Sequence, residues 1–261
     1  IQYVNIRSNN RPYLGYGYEI VMYGFNWTGR NFDVNSLRNY WQAGQVGKQH
    51  YDFNYLWLTN PYLTLFENTN GFNKNRVFGN ISATYDFTSN LSLTFRNGMD
   101  TYDDRREFRR AVSTNQNPRG SYREDNVRFR EINSDVLLSY KNQLNDVIKY
   151  SVSMGGNRFD QIINYTFAEA SQLALPNIYT LANSRTPLRS DSQLFSKRIN
   201  SLYGIGSVSY QNMLYLDLTY RNDWSSTLPT NNSSFGYYSA GLSYVVSNMF
   251  TMPGKISLLN F

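Results

Sequence analysis

The sequence contains no cysteine and only one histidine, His50. Without thiols there is no disulfide framework, no thiolate nucleophile and no thiolate metal site. A single imidazole cannot form a histidine-pair metal site, and no cofactor is expected. A Ser–His mechanism would have only His50, which falls in a loop segment with no marked partner. The chain also lacks any apolar run near the roughly 18 residues that a membrane-spanning helix requires. That excludes spanning helices from this sequence but not a membrane β-barrel. Barrel strands alternate lipid-facing and lumen-facing side chains, so the two faces cancel in any window average.

Tyrosine is what the sequence has in excess, with 23 among 261 residues. Its amphipathic ring collects at membrane–water interfaces. The net charge of +6 comes without a recognition helix or an RNP-type aromatic motif. Nucleic acid is therefore not an expected partner, and arginines in polar loops and a polar lumen account for the charge. Position 1 is not Met and no signal peptide is visible, which reads as a processed or truncated N-terminus.

Period-two alternation dominates the rest. Val77, Gly79, Ile81, Ala83, Tyr85 and Phe87 alternate with Asn80, Ser82, Thr84 and Asp86. After the turn Thr88–Asn90, Leu91, Leu93, Phe95 and Met99 alternate with Ser92, Thr94, Arg96 and Asp100. The pattern recurs over Ile132–Lys141, Ile148–Met154, Ser201–Tyr210, Leu214–Arg221 and Tyr238–Ser247. Such alternation predicts strands with one apolar and one polar face. Pro12–Phe25 reads as extended, a last strand is expected from Lys255, and Asp33 is placed to cap a short helix carrying Leu37, Tyr40 and Trp41.

Each predicted strand runs about 10 residues, enough to cross a bilayer when tilted. The connections alternate in length. Thr88–Asn90, Asn142–Asp146 and Gln211–Asn212 are short, whereas Thr101–Arg130, Asn157–Asn200 and Asn222–Gly236 are long, polar and expected to be external loops. The expected fold is all-β: an antiparallel transmembrane β-barrel segment, with residues 1–261 forming part of one barrel domain. About eight strands leave two open edges, costly in lipid, so the expectation is a piece of a larger, about 22-stranded barrel.

Three segments resemble the SusC-like family of TonB-dependent outer-membrane transporters. The first runs from Asn60-Pro61-Tyr62 to Arg76-Val77-Phe78-Gly79-Asn80, then Leu91-Ser92 and Gly98-Met99-Asp100. The second runs from Tyr203-Gly204 to Arg221, Asp223, Ser225 and Ser226, with Trp224 where the family carries Gly and Thr227-Leu228 where it carries Arg-Phe. The third is Phe235-Gly236-Tyr237-Tyr238-Ser239. The resemblance implies an outer-membrane location in a Gram-negative bacterium, an internal plug, energy from TonB and a SusD-like surface lipoprotein over the mouth. It implies import of an oligosaccharide or peptide, and no enzymatic role. The alternatives are a complete small outer-membrane barrel enzyme or porin, and a soluble β-rich glycan-binding or adhesin module.

Candidate sites follow from where strands end. Arg221, Asp223 and Trp224 stand at one such end and are the candidate cargo-binding residues. The competing reading makes Trp224 an interface-belt residue beside lumen polarity. Asp103-Asp104-Arg105-Arg106-Glu107 is expected to be a self-paired, solvated charge cluster. Arg96, Asp100, Asp135, Lys149 and Asp217 are expected to line the lumen.

Overall fold

A computed structural model describes residues 1–11 and 20–246. Eight strands form one antiparallel sheet in sequence order, which is not closed. They are β1 (Gln2–Ser8), β2 (Asn70–Asp86), β3 (Leu91–Thr114), β4 (Asn117–Gln143), β5 (Ile148–Ala170), β6 (Arg189–Tyr210), β7 (Leu214–Ser225) and β8 (Ser234–Tyr244). Two short helices, α1 (Val21–Asn26) and α2 (Pro61–Phe66), lie between β1 and β2. The sheet is thus the all-β, antiparallel arrangement expected of a barrel segment.

The strands are longer than the alternation alone suggests. β3 has 24 residues and β4 has 27, against the roughly 9–11 that a bilayer crossing requires. The supposed loop Thr101–Arg130 is therefore a correction: it is the far half of the β3–β4 hairpin, closed by Asn115 and Gln116. Asn157–Asn200 is likewise mostly β5 and β6, and Asn222–Gly236 is shortened by β7 and β8. The far halves of β3 and β4 hid from the sequence because both of their faces are mostly polar, so alternation carries little signal there. The short turns stand as expected after Asp86, Gln143 and Tyr210. At the last, a three-residue loop, Gln211 and Asn212 both take positive φ (52° and 54°) at the centre of a β-turn of primed type, closed by the Met213 amide on the Tyr210 carbonyl at 2.9 Å.

Directly paired residues share a face, and successive residues alternate. The register is continuous across all seven strand pairs. It places Ile81, Ala83, Tyr85, Leu93, Phe95, Leu138, Val152, Leu216, Leu218 and Leu242 on one face. Ser82, Thr84, Arg96, Asp135, Ser153, Asp217 and Ser243 all fall on the other. The first, here the banded face, is continuously apolar only near the short turns. On β3 the band runs from Leu91 to Met99; Thr101, Asp103, Arg105, Glu107 and Arg109 then continue the same face as polar residues.

Residues 27–69 make a small cap on the β3–β4 tip. Asp33 caps a 3-10 turn, Val34–Leu37, accepting from the Asn35 amide at 2.9 Å; the expected helix is this single turn, with Leu37 buried. Asn60 is fully buried and holds the cap together. Its Oδ1 caps α2 through the Tyr62 and Leu63 amides, ahead of Pro61 at the first helical position. Its Nδ2 donates to the Leu37 and Tyr51 carbonyls at 2.9 and 2.7 Å. The expected extended stretch Pro12–Phe25 is partly helical, in α1, and partly outside the described residues. The strand expected from Lys255 also lies outside them.

Asn60→Ala should therefore loosen the cap while leaving the sheet intact. Two carbonyls and the first amides of α2 lose buried partners, a cost of about 1–3 kcal/mol for each group left unsatisfied. Amide exchange in residues 51–66 should accelerate without change in β5–β7. Uniform acceleration across the sheet would contradict this local role.

Candidate functional site on the polar face

The polar face carries a hydrogen-bonded chain that crosses most of the sheet. Ser82, Arg96, Asp135, Asn157, Ser201 and Asp223 form one rung, each opposite the next. Arg96 donates to Asp135 Oδ1 through Nε at 2.9 Å and Nη2 at 2.6 Å. The Tyr203 hydroxyl donates to Asp135 Oδ2 at 2.6 Å. Tyr203 sits on β6 and Asp135 on β4, so its ring must lie across β5. Gly155, directly opposite Tyr203, makes that possible: a Cβ there would stand 2.4 Å from the ring.

The chain continues on β7 and β8. The Arg221 guanidinium lies 5.9 Å from the Tyr203 ring centre, a cation–π distance. Arg221 donates through Nε to Asp223 at 2.7 Å and through Nη2 to the buried Ser201 Oγ at 2.9 Å. The Tyr237 hydroxyl donates a short bond to the other oxygen of Asp223. Asp223 is thus held from two sides, by Arg221 and Tyr237.

Of the three residues expected to form one site, Arg221 and Asp223 come together on the polar face. Trp224 does not join them. It lies on the banded face, opposite Asn200 and in line with Leu216 and Leu218. Residues i and i+1 of a strand diverge, so the sequence cluster was never a spatial one. Ser201, Tyr203 and Tyr237 complete the site and were not singled out as site residues. Their signal was present as polar or aromatic residues at lumen parity, but strand pairing was needed to align them.

A second constellation lies farther from the short turns on the same face. Asp125, 4% exposed, accepts from Arg123 Nε at 2.6 Å and the Tyr165 hydroxyl at 2.9 Å. The Arg123 guanidinium lies 4.2 Å from the Phe167 ring centre. The expected charge cluster is self-paired only in part and on two faces, and Asp103 pairs outside it with Arg128 of β4. Asp104 takes Arg106 on the polar face, while Arg105 and Arg109 take Glu107 on the other. Asp104 is only 5% exposed, so this member is not solvated. Tyr122 packs beneath Leu173; burial first, then its bond to Glu124, push its hydroxyl up to about 12.

His50 has partners after all, in the cap. Its Nδ1 lies 2.8 Å from Ser113 Oγ and its Nε2 3.1 Å from the Leu58 carbonyl. A carbonyl only accepts, so Nε2 carries the proton and Ser113 donates to Nδ1. The arrangement ties the cap to the hairpin tip. Among the described residues no cluster of three metal-ligating side chains occurs.

No family model and no curated protein matches the sequence. Solved structures do share the fold. The RagAB peptide transporter matches at a TM-score of 0.72 and 19% identity, over 82% of this chain and 24% of that one. The RagAB peptide importer in its open–open state matches at 0.68 and 19%, over 82% and 24%. Its closed–closed state matches at 0.67 and 20%, over 74% and 22%. The chain spans about a quarter of the length of the transporter chains whose fold it shares.

The role of Gly155 can be tested by a cycle. Gly155→Ala should cost about 1–3 kcal/mol, the scale of overpacking, because Tyr203 must leave Asp135. In a Tyr203→Ala background the same change should cost almost nothing. Urea unfolding in detergent measures both, and equal costs in the two backgrounds would refute the coupling.

Proposed function

We propose that the chain is part of the barrel wall of a SusC-like, TonB-dependent outer-membrane transporter that imports peptides. The observation that carries this reading is the face partition: an apolar band at the short-turn end of one face, with a hydrogen-bonded polar surface behind it. Shared fold with a peptide transporter at a TM-score of 0.72 supports it. In this reading the band meets lipid and the polar face lines the lumen. Strands beyond β1 and β8 close the barrel, and a SusD-like surface lipoprotein covers the mouth.

A peptide suits the lining better than a neutral glycan. Arg96, Asp135, Arg221 and Asp223 present both signs of charge, each oriented by a tyrosine or serine. A peptide carries both signs at its termini and donors and acceptors along its backbone. Arg221 and Asp223 are the residues assigned to cargo; Trp224 is assigned to the interface belt.

Two measurements test the reading on the full-length protein. Leu216→Arg should cost about 2–4 kcal/mol if it lies near the bilayer midplane, and nitroxides at positions 216 and 218 should contact lipid while one at 217 contacts water. Labels at 216 and 218 in water would end the barrel reading. Asp223→Ala should weaken peptide binding by roughly 1–3 kcal/mol, the scale of a buried binding contact, whereas Trp224→Ala should lower the yield of heat-resistant protein at unchanged affinity. Binding of oligosaccharides with no response to peptides would leave the barrel standing and overturn the cargo class.

A further inference from the structure

The banded face changes character abruptly where the apolar band ends, and the residues there are mostly arginines. Arg158 and Asp160 lie on β5, Arg198 opposite Asp160 on β6, and Arg130 on β4 one diagonal step from Asp160. All four share the banded face. Ile132, on β4 opposite Asp160, and Leu202, 56% exposed on β6, continue that face toward the short turns. Trp224 closes the group on β7, opposite Asn200.

The charges do not balance. One carboxylate serves two guanidiniums: Asp160 accepts from Arg158 Nε at 2.7 Å and from Arg198 Nε at 2.5 Å. Each arginine uses its Nε–H on Asp160, and no acceptor among the described residues takes its Nη groups. The side chains of Arg158 and Arg198 are 54% and 52% exposed. Arg130 is exposed, with no ion-pair partner among the described residues. The cluster therefore holds three positive charges against one negative, with its planar forks open to solvent and an apolar surface beneath.

We propose that Arg130, Arg158 and Arg198 form a docking site for the phosphate head group of a membrane lipid, whose acyl chains lie on the apolar band. The charge, geometry and position each select this occupant. Guanidinium forks match phosphate oxygens in pairs and are weakly hydrated, so they bind phosphate at an interface better than ammonium groups do. Asp160 acts as a spacer that holds two forks in one orientation. The adjoining apolar face distinguishes a lipid phosphate from a free one, because only the lipid gains from both surfaces. Trp224, at the same level, presents an amphipathic ring suited to a head-group layer. The site rests on the barrel reading and adds to it a specific lipid contact on the long-strand side.

The test uses the full-length protein in nanodiscs of phosphatidylcholine doped with phosphatidic acid. Native mass spectrometry should show phosphatidic acid retained on the wild-type protein. Arg130→Gln/Arg158→Gln/Arg198→Gln should lower that retention at least tenfold. A triple Arg→Lys variant, which keeps charge but loses the fork, should fall between the two and guards against misfolding of the Gln variant. Retention unchanged in both variants overturns the proposal, as does equal displacement of the lipid by millimolar inorganic phosphate. Nitroxides at 216 and 218 in the same discs separate the failures: lipid contact with unchanged retention sinks only the site, whereas water contact sinks the barrel reading beneath it.

Discussion

Unbroken strand register is the constraint on which everything else in this molecule depends. Each strand keeps one constant register with its neighbour from the short turns to the far tips. Because side chains alternate with a period of two, one inserted residue would send every later side chain to the opposite face. Arg96 could not then meet Asp135, nor Tyr203 reach across Gly155, and the arginines beside Asp160 would turn away from the apolar band. In the proposed barrel a lipid-facing strand has no freedom to correct such a slip, since a charge on lipid costs kilocalories. Continuity of register is thus what allows a single sheet to present two chemistries at once.

Near the short turns the sheet was legible from sequence, because there the two faces differ in polarity. Leu93 and Phe95 against Thr94 and Arg96, or Leu216 and Leu218 against Asp217 and Thr219, declare their facing residue by residue. The far halves were not legible. Arg105, Arg106 and Glu107 read as loop because polar residues on both faces erase the period, although their backbones pair fully with β4. The cap shows a different gap. Asn60-Pro61 carries an N-cap and N1 signature, yet α2 has only six residues and no helical stripe to draw attention to it.

The candidate site divides in the same way. Arg221, Asp223 and Trp224 were singled out because they stand together at one strand end, and only Arg221 and Asp223, two apart, share a face. Trp224 was grouped with them by proximity along the chain, which in a strand is the wrong measure. Tyr203 and Tyr237 were out of reach for another reason: their partners lie on other strands, up to 68 residues away for Tyr203. Only the register, fixed by turns and pairing together, brings them into one network. Gly155 is the least visible member, since its contribution is the absence of a side chain.

The long β3–β4 hairpin has a mechanical consequence. Its 24-residue strand extends roughly 80 Å at about 3.3 Å per residue, and more than half of that lies past the apolar band. The cap is fastened at its far end: Asn68 accepts from the Ala111 amide and Thr114, Thr59 from the Asn115 amide, and His50 from Ser113. Hairpin and cap are nonetheless braced, not hinged: β2 flanks β3 as far as Phe108 and β5 flanks β4 as far as Tyr122. A sideways load on the cap is carried as shear along those ladders into the neighbouring strands, instead of being taken up as bending at the rim of the band.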